Sequence, residues 1–293
     1  MSAKKKAILC AVLAATLYAL NSPMSKLLLD AVPPTMLAAM LYLGAGIGLL
    51  IVRLLQNRLG KAENEPSLTR KELPYTIGMV LLDIAAPIFL LIGLSKTNAE
   101  TVSLLNNFEI VATSIIALCI FKEAISLRLW GAIALVTISS VVLSIEDIRN
   151  FSFSIGSLFV LLASVCWGLE NNCTRMISNK DPLQIVVIKG LGSGLGSLVI
   201  ATFTGEQLVQ KWEYIVCALL LGFVAYGLSI FFYIYAQRYL GAAKTSAYYA
   251  LAPFIGVALS LIIFQEMPSV SFITALLIML AGTYLATIDT QEN

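Results

Sequence analysis

The sequence contains no histidine. That absence removes the commonest metal ligand and the one side chain that titrates unaided near neutral pH. None of the five cysteines forms a Cys-x-x-Cys pair, which argues further against zinc sites and metal-assisted hydrolysis. Cys10, Cys119, Cys166, Cys173 and Cys217 all lie in apolar runs and read as small buried hydrophobes without chemistry of their own. Charge is scarce as well: 12% of residues are charged and the net charge is +2, so there is no basic footprint for nucleic acid. Long polar stretches are also missing. The longest, Asn57–Glu72, carries Arg58, Lys61, Glu63, Glu65, Arg70 and Lys71 and reads as a solvated linker, too short for a soluble domain. No cofactor or metal is expected.

What the chain has in abundance is apolar sequence. Hydrophobic residues make up 59% of the 293 residues and mean hydropathy is +0.88, well above the roughly half-apolar composition of a soluble domain. A run of about 20 apolar residues crosses a bilayer. Such runs lie near 7–29, 34–56, 73–94, 98–121, 125–145, 153–177, 182–203, 212–237, 242–264 and 268–288, which predicts an all-α membrane protein of ten transmembrane helices. The opening MSAKKK before the first run has no convincing small-residue cleavage site behind it and reads as a signal anchor. With a cytoplasmic amino terminus, 14 of the 19 lysines and arginines fall on the inner face. Lys26, Lys96, Arg149 and Lys211 fall on the outer face, and Lys189 lies inside a span. The positive-inside rule then places both termini in the cytoplasm and the protein in the cytoplasmic membrane.

The chain repeats itself. A shift of 149 lays Ala14–Lys26 on Ala163–Arg175, matching Tyr18 to Trp167, Asn21 to Glu170 and Lys26 to Arg175. A shift of 143 lays Ile115–Glu123 on Ala258–Glu266, matching Phe121, Lys122 and Glu123 to Phe264, Gln265 and Glu266. Residues 1–147 and 148–293 are therefore expected to be two copies of a five-helix unit. Because five is odd, the second copy enters the membrane from the opposite side, giving inverted-topology repeats with a substrate site near the midplane between them.

These elements resemble the EamA-type transporters of the drug/metabolite transporter superfamily. The likeness covers nearly the whole chain. It rests on the aromatic-small-x-polar element of each half (Tyr18 to Asn21, Trp167 to Glu170), on the endings Phe121-Lys122-Glu123 and Phe264-Gln265-Glu266, and on Pro253 in the penultimate helix. Where the first half of the family usually reads Glu-Pro, this chain has Glu109 followed by Ile110. The resemblance implies a ten-helix fold, alternating access and often export, without fixing a substrate.

Intramembrane charges mark the candidate site. A carboxylate inside a span is costly and faces the protein interior or a water-filled cavity. Leu161–Ser178 places Trp167, Glu170, Asn171, Asn172 and Thr174 in one such span. Helices 3 and 4 turn near residue 96, which sets Asp83 and Glu109 at similar depth. If they face one another they repel when ionised and form a proton-coupling pair; otherwise each is hydrogen-bonded on its own. Asn106, Glu109 and Thr113 share a helix face. The turn near residue 180 likewise sets Glu170 opposite Lys189. Three readings stand for that candidate ion pair: mutual neutralisation, competition by a substrate amine for Glu170, or Lys189 reaching back to the membrane surface. Tyr18, Trp167, Tyr248 and Tyr249 are candidate aromatic walls for a cation, against the ordinary alternative that they only pack. Asn21, Asn106, Asn171 and Thr174 complete the candidate substrate-binding set. Gly190, Gly192, Gly194 and Gly196 lack the preceding strand of a nucleotide loop and, with Gly44 and Gly48, read as helix-packing positions.

The expected function is secondary transport of a small amine-bearing or zwitterionic metabolite such as an amino acid, outward and coupled to protons, with the bilayer as the other partner. An uptake facilitator for a quaternary amine is the runner-up. A non-transporting membrane sensor or assembly subunit is the rival from another class, but it has no need of midplane carboxylates in several helices. An enzyme is not expected, because neither metal ligands nor a nucleophile-base spacing appears.

Overall fold

A computed structural model describes residues 3–59, 65–121, 126–147, 152–207, 209–240, 245, 248–265 and 267–292. Lys61, Glu63, Lys122, Glu123, Arg149, Lys244 and Glu266 of the sequence argument lie outside the described residues.

The chain order is α1 (Ala3–Ala19), α2 (Asn21–Leu28), α3 (Pro34–Arg58), α4 (Leu73–Lys96), α5 (Ala99–Leu105), α6 (Phe108–Phe121) and α7 (Leu127–Ser144), then α8 (Ile155–Ile177), α9 (Pro182–Phe203), α10 (Trp212–Leu221), α11 (Ser229–Leu240), α12 (Ala252–Phe264) and α13 (Val270–Glu292). Among the described residues, seven helical stretches are long and apolar enough to span a membrane. Leu81, Leu162, Phe203 and Leu277 are exposed, as lipid-facing side chains are. The exception to the all-helical expectation is a small antiparallel hairpin, Ile145–Asp147 with Ser152–Phe153, that joins α7 to α8. Pairing two short strands satisfies backbone groups that a bare loop would leave to the membrane surface.

Proline marks two interruptions of the helices and removes a hydrogen bond inside a third helix. The residue four before a proline loses its helical donor. Pro23 thereby frees the carbonyl of Ala19, where α1 gives way to α2, and Pro87 frees that of Asp83 within α4. Pro253, in the first turn of α12, does the same to Tyr249. The first half achieves its second break without proline. Between α5 and α6, Asn107 and Glu109 donate to carbonyls only three residues back, Leu104 (3.2 Å) and Asn106 (3.1 Å). The turn is made by the backbone itself, with residues 106 and 107 both asparagine, a residue type of low helix propensity. A shift of 143 places this break within a residue of the turn at Ala250–Leu251 that precedes α12.

Glycines set the closest helix contacts. A Cβ built at Gly190 of α9 would lie 2.4 Å from the Gly46 nitrogen of α3, and one at Gly222 would lie 2.0 Å from the Leu41 carbonyl oxygen. Gly192 and Gly196 face Val80 and Ile84 of α4, which draws α9 against the helix that carries Asp83. Backbone cannot yield as a flexible side chain does, so Gly190→Ala should cost about 1–3 kcal/mol. Thermal unfolding in detergent should show the loss, while Gly131→Ala, whose nearest neighbour would be 3.7 Å away, should leave the midpoint in place.

Candidate functional site

The interruptions converge on a cavity of about 60 Å³ in the middle of the bundle. Tyr18 adjoins the α1 break, Asp83 sits at the carbonyl freed by Pro87, Glu109 opens α6, and Tyr249 precedes α12. All four line the cavity, together with Trp167, Glu170, Asn171 and Thr174 of α8 and Lys189 of α9. Non-helical backbone at membrane depth is tolerated where it is buried in protein or borders a cavity.

Lys189 is the electrostatic centre. Its Nζ lies 3.0 Å from Glu170 and 3.1 Å from Asp83, with all three residues buried. Tyr42 donates to the other Asp83 oxygen at 2.8 Å, and Thr174 donates to Glu170 one turn along α8. Glu109 accepts from the Asn171 side-chain amide. The two residues that hairpin spacing set level, Asp83 and Glu109, thus open onto one cavity but are held by different partners: Asp83 by Lys189 and Tyr42, Glu109 by Asn171. Asp83 and Glu170 therefore share one ammonium, with Glu109 on the same cavity outside that pairing.

Aromatic rings make up much of the remaining wall. Tyr18 stands 5.6 Å from Tyr249, 5.9 Å from Tyr226 and 6.4 Å from Trp167 between ring centroids. Tyr42 continues the chain at 5.0 Å from Tyr226, and Tyr233 at 4.9 Å from Tyr249. Tyr226 comes from a π-helical stretch, Gly222–Leu228, of the kind that recurs at functional sites.

Not every candidate residue reaches the cavity. Asn21 accepts from Ser25 at 3.0 Å within α2, and Asn106 caps the carboxy end of α5, its backbone N–H donating to Leu104 and Val102. Tyr248 packs against Cys10, Ala11 and Ala236. None of the three is part of the wall. Conversely Tyr42, Tyr226, Tyr233, Ile230 and Ile234 line it without having been singled out by the sequence. The only signal of the three tyrosines was a polar ring tip in an otherwise apolar run, which many packing tyrosines share, and the two isoleucines carried none.

The sequence profile of the EamA-like transporter family matches residues 5–145 and, a second time, 154–288. The chain belongs to the EamA-like transporter family. It is accordingly a multi-pass membrane protein of the drug/metabolite transporter superfamily. An uncharacterized transporter of Methanothermobacter thermautotrophicus is 26% identical over 284 residues, covering 92% of this chain and 82% of the relative. The uncharacterized transporter YyaM of Bacillus subtilis is 23% identical over 197 residues, 64% of this chain and 65% of its own. A solved crystal structure superposes with a TM-score of 0.69 at 16% identity, covering 100% of this chain and 98% of the other, which is a likeness of fold.

Proposed function

We propose that the protein is a proton-coupled exporter of a small amine-bearing or zwitterionic metabolite, such as an amino acid, working by alternating access without chemistry on its cargo. The observation that carries this reading is the excess of acid: Asp83, Glu109 and Glu170 face the cavity against Lys189 alone. An ammonium entering beside Glu170 reduces the excess, which a proton on Glu109 then cancels, and it meets rings of Tyr18 and Trp167, whose faces attract cations by roughly 0.5–2 kcal/mol. Lys189 holds Asp83 and leaves Glu109, bonded only to a neutral amide, as the group able to exchange a proton without breaking an ion pair. Asn171 joins the two functions, since it neighbours Glu170 in sequence and donates to Glu109.

The proposal includes ten spans arranged as two inverted repeats, 1–147 and 148–293, with both termini in the cytoplasm of a cell whose cytoplasmic membrane holds the protein. The inner face so defined carries Arg53, Arg70, Lys71, Arg175, Lys180 and Arg238.

The test is proton movement in proteoliposomes containing a pH-sensitive dye, with candidate amines and amino acids added in turn. The expected result is substrate-dependent proton flux that Glu109→Gln abolishes while exchange of radiolabelled substrate persists. Equal proton coupling in wild type and Glu109→Gln would remove Glu109 from that role. The tyrosine-rich wall favours a second reading, uptake of a quaternary amine, because an aromatic cage binds such a cation without hydrogen bonds. Flux of a quaternary ammonium without proton movement would select it.

A further inference from the structure

On the membrane face that carries the amino terminus, three helices pass through the same sequence of environments. Leaving the cavity, α8 runs from Thr174 to Ile177 and ends at the turn holding Lys180. Followed in the same direction, α9 runs from Lys189 back through Ile185 to its cap, Asp181. On α11, Ile230 and Ile234 line the cavity, and Arg238 stands one further turn along that stripe. Each passes from wall to apolar layer to charge. Ile177, Ile185, Val186 and Ile234 are fully buried in a single cluster, which along these helices falls between other cavity residues and the charges, Ile234 itself reaching the cavity. The face itself is fixed by Lys6 of α1, whose Nζ lies 5.2 Å from the ring centre of Tyr235 on α11.

Below the apolar layer lies a clasp between the two halves of the chain. Arg238 pairs with Glu65 of the α3–α4 connection and donates to the Lys180 carbonyl at 2.9 Å. Lys180 in turn lies 3.4 Å from Glu72, and Arg53 of α3 lies 3.4 Å from Asp181. Two further bonds run alongside: the Asp181 N–H to the Pro66 carbonyl at 3.0 Å, and the Leu68 N–H to the Gln184 side chain at 2.8 Å. Every one of these contacts except Arg238 to Lys180 crosses from the first half to the second. Arg238 and Lys180 each join the α3–α4 connection, the α8–α9 turn and α11, and Arg238 also sits on the helix stripe that forms the cavity wall.

We propose that Arg238 is the residue that gates access to the cavity from the amino-terminal face, its pairing with Glu65 latching that face shut over the layer of Ile177, Ile185 and Ile234. Alternating access requires the two halves to part on this side, and parting them breaks the Arg238–Glu65 pair while the Arg238–Lys180 bond stays within the second half. The partially exposed clasp and the dry layer divide the work: the apolar side chains exclude water, and the charges hold them together. The inference rests only on the chain being a transporter and is independent of its cargo and of proton coupling.

The test uses the full chain with its five cysteines replaced and two spin labels, at Ser67→Cys in the α3–α4 connection and at Tyr239→Cys beside Arg238. Pulsed electron resonance on the purified protein should give one short distance for this background. Either Arg238→Gln or Glu65→Gln should move about 5-fold or more of the population ratio toward a longer distance, the scale of a modest coupling between two states. In parallel, a single cysteine at Ile230 should react faster with a charged methanethiosulfonate in both variants. Glu65→Gln, on the connection rather than in a helix, keeps the test open should Arg238→Gln fold poorly. Exchanging the charges, Glu65→Arg with Arg238→Glu, should return both readouts toward the background values. Distances and thiol reactivity unchanged in Glu65→Gln would overturn the latch, and so would a charge exchange that behaves like the neutral variants.

Discussion

Lys189→Met should be the most damaging conservative change in the membrane core. It leaves Asp83 and Glu170, which now sit 3.1 and 3.0 Å from the same ammonium, as two uncompensated carboxylates in one buried site. Removing one partner of a buried ion pair costs roughly 3–5 kcal/mol because the other charge stays behind. The midpoint of thermal unfolding in detergent should fall sharply. Glu170→Gln should not have this effect, since Lys189 keeps Asp83 and the local charge becomes zero. A small loss of stability in Lys189→Met, equal to that of Glu170→Gln, would show that the triad does not carry the balance assigned to it.

Glu170→Gln should instead fail in binding. A buried hydrogen bond to a charged group is worth roughly 1.5–3 kcal/mol, so the variant should bind an amine substrate about 10-fold or more weakly by equilibrium titration. Trp167→Phe should cost less, because a ring face remains beside Tyr18. The decisive comparison is the double variant Glu170→Gln with Lys189→Met, in which only Asp83 of the triad retains charge. Full recovery of transport in the double variant would reduce Glu170 to a counter-ion of Lys189 and place the substrate elsewhere. Continued loss, with the protein folded, is the expected result.

Local arithmetic made part of this site legible. Glu170 and Lys189 flank one short turn, and two helices leaving a tight turn must run side by side, so equal spacing brings equal depth. The same arithmetic fails for Asp83, whose partner is not on the next helix. Lys189 reaches it because Gly192 and Gly196 let α9 lie against Val80 and Ile84, a contact between halves of the chain that no hairpin spacing contains. The run of alternate glycines was legible as a face packing the second and seventh spans, as Gly190 and Gly194 do against α3, but its other contact, with α4, was not. Tyr226 was hidden for another reason. Its segment is π-helical, and a period of 3.6 residues assigns side chains to the wrong face once the helix widens. The break between α5 and α6 needs no Glu-Pro, because Asn106 and Asn107 take the turn themselves.

The ion triad also bears on how the chain is made. A charged residue at the centre of a helix entering the bilayer alone raises the cost of insertion by about 2.5–3.5 kcal/mol. Helix α8, with Glu170, two asparagines and Thr174 in its second half, is not among the seven strongly apolar spans, whereas α9 carries Lys189. The turn between them is short, and the two charges already lie at bonding distance within this hairpin, 3.0 Å apart. Entering the membrane as a pair, α8 and α9 cancel most of the charge that would hold either back. Biogenesis should therefore treat this hairpin as one unit of insertion, with Asp83 of the earlier α4 waiting in the bilayer as the docking point for the lysine that follows.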